Sequence, residues 1–176
     1  MKTLDMISDI RIVPDYPSPG IRFYDITTLL KDAGHFNQIC NALKNRYRDI
    51  PITKVIAVES RGFFLGSALA AFLNVGFVPL RKLGKLPSSV YSISYQKEYA
   101  TDILEIHTDA LSSSDVVILH DDVLATGGTV NASLELLSNF NIKTIYLDFL
   151  LEIESLNGRS NIIHPYTDIH SLLKVS

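Results

Sequence analysis

The sequence predicts an α/β fold in which a mostly parallel central sheet is flanked by helices. The apolar runs "KVIAV" (54–58), "GFVPL" (76–80) and "DVVIL" (115–119) are short and rich in β-branched residues, as strands buried on both faces are. Stretches of helical length or spacing lie at 34–48, 63–74 and 127–140. Strands and helices alternating at this distance build βαβ units around a parallel sheet. With 176 residues the chain is most simply one domain, and a chain of that size buries roughly 70% of the surface its unfolded form exposes.

In chain order, residues 1–20 form an amphipathic start followed by the irregular Pro/Gly-rich "PDYPSPG". After "FYDITTLLKD", the helix over 34–48 gathers Phe36, Ile39, Cys40, Leu43 and Tyr47 on one face. Strand 54–58 leads through "ESRG" into the helix at 63–74, and strand 76–80 ends in the basic "RKLGK". Residues 86–101 are polar and tyrosine-rich without a helical period, which fits either an antiparallel hairpin or a mobile loop. "DILEIH" (102–107) alternates apolar and polar as a half-exposed strand does. Strand 115–119 stops before two aspartates, the helix 127–140 follows, a strand covers 143–153, and "SLNGRSNI" reads as a short helix.

Composition excludes several classes. A net charge of −3 argues against non-specific nucleic-acid binding and against a basic membrane face. No apolar run reaches the roughly 18 residues of a transmembrane helix, and "MKTLDMISDI" lacks the apolar core of a signal peptide. The single Cys40 excludes an internal disulfide framework, fits a reducing compartment, and sits on a packing face. The expected location is the cytoplasm. The histidines 35, 107, 164 and 170 show no zinc spacing, so no structural metal is expected.

Ligands of parallel α/β sheets bind at the carboxyl ends of the strands. Here those ends read "ESRG", "RKLGK" and "HDDVLATGGT". In the last, Ala125, Thr126, Gly127, Gly128 and Thr129 open a helix directly after a strand, where backbone N–H groups and threonine hydroxyls hold an anion. Neither GxxxxGK[ST] nor GxGxxG is present, so one phosphate monoester suits the loop better than a triphosphate or a dinucleotide. Asp121 and Asp122 can accept hydrogen bonds from vicinal hydroxyls and help organise Mg²⁺. Alone, such a pair reads as a solvated acidic turn; beside a phosphate loop it implies a ribose 5-phosphate.

"VVILHDDVLATGGT" resembles the phosphoribosyl-pyrophosphate signature of type I phosphoribosyltransferases. Over about 16–159 the chain resembles the adenine-using members of that family, through "YPSPGIRFYDITTLL", "VESRGFFLGSALA", "FVPLRKLGKLP", "EYATDILEIH" and "LLEIESLNGR". The resemblance implies transfer of a phosphoribosyl group from phosphoribosyl pyrophosphate to adenine, giving AMP and pyrophosphate with Mg²⁺ held through substrate and Asp121 and Asp122. It places Arg61 in the pyrophosphate loop, with Glu59 and Ser60 shaping the turn, and adds Arg81, Lys82 and Lys85 as further cations. It makes Glu98 the acid that serves the purine N7 and Tyr99 part of a closing lid. It sets Phe23 against the base, with backbone groups of Ile21 and Tyr24 reading its polar edge, under a small hood formed by residues 1–30. It also implies a homodimer in which part of the basic cluster reaches the partner's site.

Taken alone, "RKLGK" and "EY" read as plain surface and Phe23 as core, so these roles rest on the resemblance. Four positions depart from the family pattern. Tyr24 replaces an arginine, Ala100 a glycine, His120 an aliphatic residue, and Leu83 a polar or basic one. Two rival readings follow: a phosphoribosyltransferase for hypoxanthine, guanine or xanthine, and a sensor that binds the donor without turnover. The second would ordinarily carry a DNA-binding extension, for which the chain shows no sign.

Overall fold

The computed structural model describes residues 3–96 and 101–176. Seven strands form one sheet in the order β5-β6-β4-β3-β7-β8-β9. These are β3 (Lys54–Val58), β4 (Gly76–Lys82), β5 (Val90–Gln96), β6 (Thr101–His107), β7 (Val116–Leu124), β8 (Thr144–Ile153) and β9 (Asp168–Val175). The pairs β4–β3, β3–β7, β7–β8 and β8–β9 are parallel, whereas β5 and β6 add an antiparallel hairpin beside β4. Residues 86–101 thus supply a hairpin strand, one of the two forms the sequence allowed.

Helices cover both faces. On one, α3 (Ala33–Tyr47) and α4 (Gly62–Leu73) bury Ile39, Leu43, Leu65 and Leu69 against Val55, Ile118 and Leu150. On the other, α5 (Gly128–Leu137) buries Val130, Leu134 and Leu137 against Ile56, Leu119 and Leu147. Neighbours such as Val55 and Ile56 face opposite layers, the period-two alternation that makes these strands apolar throughout. Local signals set the helix ends. Asp32 accepts the His35 N–H at 2.8 Å to cap α3, and Asn74 ends α4 in the left-handed region at φ 56°.

The N-terminal segment builds the short helix α1 (Thr3–Ser8), an antiparallel pair β1 (Arg11–Pro14) and β2 (Arg22–Asp25), and the single turn α2 (Thr27–Leu30). Three details differ from the sequence reading. First, β7 does not stop at residue 119; it pairs with β8 as far as Leu124 beside Glu152, so both aspartates lie inside the strand. The ten-residue β8 supplies backbone partners along that whole length. Second, Glu154–Leu156 is one 3₁₀ turn rather than a longer helix. Third, β9 was not foreseen. It pairs with β8 alone, and only Leu173 in it is fully buried, so its sequence carries no clear alternation.

Candidate active site

Strand β3 is flanked by β4 on one side and β7 on the other, so the chain's winding direction reverses there. The carboxyl ends of strands diverge at such a point and leave a crevice. A cleft of about 660 Å³ opens there, lined by Phe23, Glu59, Arg61, Asp121, Asp122 and Thr129 among others. Residues scattered over the sequence from the N-terminal hairpin to the start of α5 therefore share one space.

Arg61 is the N-cap residue of α4, and this position carries its side chain across the cleft. Its Nε lies 2.9 Å from Asp122 Oδ2, and its guanidinium carbon lies 4.9 Å from the centroid of the Phe23 ring. One cation thus bridges the sheet and the N-terminal hairpin. Glu59 accepts hydrogen bonds from Arg81 Nε at 3.0 Å and from the Lys82 N–H at 2.9 Å. The Arg81 bond holds the Glu59 carboxyl below the usual carboxylate range. Glu59 therefore fixes the turn that carries Ser60 and Arg61.

The remaining cations divide. Lys82 lines the cleft, with its Nζ 3.6 Å from Asp102 Oδ2. Arg81 is engaged by Glu59 and packs over the Phe63 ring at 5.9 Å, and Lys85 stands exposed in the turn beyond β4. Neither lines this cleft.

The carboxyls of Asp121 and Asp122 are both pushed above the usual range. Burial is the main cause, and for Asp121 the neighbouring Asp122 charge adds to it, whereas Arg61 partly offsets burial at Asp122. Asp122 Oδ2 is buried and has no aligned hydrogen bond despite its ion pair. Beyond β7, Ala125 and Thr129 line the cleft, and Gly127 caps α5 at φ 88°, a left-handed conformation that a side chain would strain. Thr126 and Gly128 complete this helix entrance.

On the hood side, Ile21, Phe23 and Tyr24 all line the cleft. The Phe23 ring meets Tyr16 edge-on at 5.2 Å, while Tyr24 is largely buried in the core. Glu98, Tyr99 and Ala100 lie outside the described residues. Sequence reasoning missed Arg22, Ile153 and Leu156, which also line the cleft. The motif "LLEIESLNGR" contains two of them, but spacing alone did not show that this turn faces the cleft.

His120 is fully buried. Its Nδ1 lies 2.7 Å from Asp148 Oδ2, and Asp148 Oδ1 is 2.9 Å from both His170 Nδ1 and the Tyr47 hydroxyl. Burial would raise the Asp148 carboxyl, but its bonds to His120 and His170 outweigh that and hold it low.

Residues 25–169 match the model of the phosphoribosyl transferase domain. An adenine phosphoribosyltransferase of Bacteroides thetaiotaomicron is 52% identical over 155 residues, covering 88% of each chain. The crystal structure of adenine phosphoribosyltransferase from Thermoanaerobacter pseudethanolicus superposes with a TM-score of 0.90 at 43% identity, over 99% of this chain and 100% of that one. The Giardia lamblia enzyme complexed with 9-deazaadenine gives a TM-score of 0.94 at 39% identity, over 100% and 99%. The chain belongs to the phosphoribosyltransferase family, among its adenine phosphoribosyltransferases.

Proposed function

We propose that the cleft joins adenine to the ribose of phosphoribosyl pyrophosphate, yielding AMP and pyrophosphate for purine salvage. The observation that carries this reading is the bridge made by Arg61, which places one cation between an aromatic platform, Phe23, and a carboxylate at the sheet end, Asp122. A base on the hood side and a ribose on the sheet side would meet there.

Each group then has a role. Backbone N–H groups of Thr126, Gly127 and Gly128, with the Thr126 and Thr129 hydroxyls and Ala125 beside them, hold the 5′-phosphate at the start of α5. Asp121 and Asp122 accept the ribose hydroxyls. As the C1′–O bond to pyrophosphate breaks and the N9–C1′ bond forms, positive charge grows on the ribose and negative charge on the leaving group. Arg61 and Lys82 face that leaving group, Glu59 and Ser60 hold their turn, and Arg81 and Lys85 add charge at its rim. Bond formation leaves one proton in excess on the adenine ring, so Glu98, expected from the resemblance as an acid at N7, serves in this direction as the base that takes that proton. Tyr99 closes over the base and excludes water. Phe23 stacks on adenine, and the backbone at Ile21 and Tyr24 reads its edge beneath the hood of residues 1–30.

The donor set suits Mg²⁺. The two carboxyls offer oxygens only, and Asp122 Oδ2 is buried with no aligned hydrogen bond. Among the described residues, no group of three or more His, Cys, Asp or Glu is placed to hold a metal. A cation here would therefore share its shell with substrate oxygens, as Mg²⁺ bound with pyrophosphates does. Once bound, it would neutralise charge on the departing pyrophosphate.

A homodimer is part of the same reading. Phe64 and Phe72 on α4 and Phe77 on β4 are exposed, as is Leu83 beside the basic turn. A second copy would cover this apolar face and bring Arg81 and Lys85 towards its own cleft; a monomer at micromolar concentration in sedimentation would refute it. The cytoplasm is the proposed location, and no helix among the described residues is long and apolar enough to cross a membrane.

The deciding assay mixes protein, Mg²⁺ and phosphoribosyl pyrophosphate with adenine, hypoxanthine, guanine or xanthine separately. AMP from adenine alone is expected. An oxopurine nucleotide would reassign the base site, and binding of the donor without any product would indicate a sensor.

A further inference from the structure

The turn after β8 has no role in the chemistry above, yet it lies directly against the phosphate loop. Asn161 Nδ2 donates to the Thr126 carbonyl at 3.0 Å. Gly158 packs so closely beneath the Ala125 carbonyl that a Cβ there would overlap its oxygen. A Cβ on Gly127 would in turn come within 2.7 Å of the Gly158 carbonyl oxygen. The turn is fastened on both sides. Arg159 donates to Glu152 at 3.0 and 2.6 Å, and Asn131 of α5 donates to the Asn161 carbonyl at 2.8 Å while accepting from the Ile163 N–H at 3.0 Å.

In a trans peptide the C=O and the following N–H point in opposite directions. The carbonyls of Ala125 and Thr126 both face the turn. The N–H groups of Thr126 and Gly127, which share those two peptide planes, are therefore aimed the other way. Successive N–H groups so aligned form an anion-binding concavity. We infer that the turn 157–161 is a positioning element for the reaction: by holding back two consecutive carbonyls, with Asn161 as the positioning side chain, it orients the backbone donors that grip the 5′-phosphate. This rests on the phosphoribosyl reading of the cleft and adds to it a cause for the loop's conformation.

Loss of the Asn161 amide would free the Thr126 peptide to rotate, and a carboxylate in its place would repel the carbonyl outright. Small displacements of a binding group cost disproportionately, because directional donors must meet a fixed anion. Base recognition should be spared, since the Arg159–Glu152 pair still holds the other half of the turn.

The test is calorimetric titration of ribose 5-phosphate into wild-type protein and the isosteric Asn161→Asp, which needs no turnover. Steady-state kinetics on the same proteins complete it. The expected result is affinity about tenfold weaker in Asn161→Asp, with KM for phosphoribosyl pyrophosphate raised about as much and KM for adenine changed less than about twofold. A general loss of structure would move both constants together and lower Tm. Equal affinity in the two proteins would overturn the positioning role while leaving the functional reading intact. Failure of the wild type to bind ribose 5-phosphate would overturn both. Should Asn161→Asp not fold, Asn161→Ala decides by the same titration, with about fivefold weakening expected.

Discussion

Two groups of buried carboxyls lie on neighbouring strands, and the protein treats them in opposite ways. Asp148 and Glu152 on β8 are 0% and 5% exposed, and Asp122 on β7 is 4% exposed. Asp148 is surrounded by the Tyr47 hydroxyl and two histidines, and Glu152 is gripped by Arg159. Both are held below the usual carboxylate range, Glu152 chiefly by the Arg159 hydrogen bonds. On β7, Asp121 and Asp122 are pushed up by burial, and Asp122 Oδ2 is left without an aligned donor. Burial alone therefore does not mark a functional carboxyl. Incomplete satisfaction does, because a ligand must supply what the fold withholds.

The comparison predicts a crossed pattern of mutational effects. Asp122→Asn should lower kcat/KM by about 10³-fold, since it removes the carboxylate proposed to hold the ribose and unpairs Arg61. Its stability should change by less than about 1 kcal/mol, as the lost charge was poorly satisfied. Chemical denaturation and steady-state assays on one preparation separate the two quantities; a large stability loss would mean Asp122 is structural. Asp148→Ala should do the reverse. Two buried donors, Tyr47 and His120, and the half-buried His170 would lose their acceptor, costing roughly 3 kcal/mol, whereas KM for adenine should hardly move in the folded fraction.

The smallest effect is a pH dependence of opposite sign in the two groups. For Asp148 and Glu152, whose folded values are lowered, the stabilisation is complete above the ordinary carboxylate pKa of about 4 and is lost as pH falls through the folded values. For Asp121 and Asp122, whose folded values are raised, ligand-free stability falls as pH rises from about 4 through those values. Urea melts without Mg²⁺ should show Asp121→Asn flattening the decline on the rising side and Glu152→Gln flattening the loss on the acid side. Parallel curves for both variants would break the distinction.

Legibility in the sequence follows the same division. The apolar runs at 54–58, 76–80 and 115–119 announced their strands because burial on both faces leaves no polar position to interrupt them. Asp121, Asp122 and Arg61 stood out because charge at a strand end contradicts its apolar surroundings. Asp148 did not: inside "KTIYLDFLLEI" it looks like an interruption, and its partners Tyr47, His120 and His170 come from three distant segments. β9 stayed hidden because one deeply buried leucine gives no period to read. The cleft-facing placement of Leu156 depends on a turn whose shape is set by Arg159 reaching out to Glu152 on β8 and the Ile169 carbonyl on β9, so local propensity could not specify it.

Gly127 and Gly158 guard the same close approach: a side chain on Gly127 would strike the Gly158 carbonyl, and one on Gly158 would strike the Ala125 carbonyl two residues before Gly127. For anyone reshaping this loop, the two positions behave as one. A mutational library at either alone should return only glycine, and a larger residue at one should be recovered only alongside a backbone change that moves the turn away from the loop.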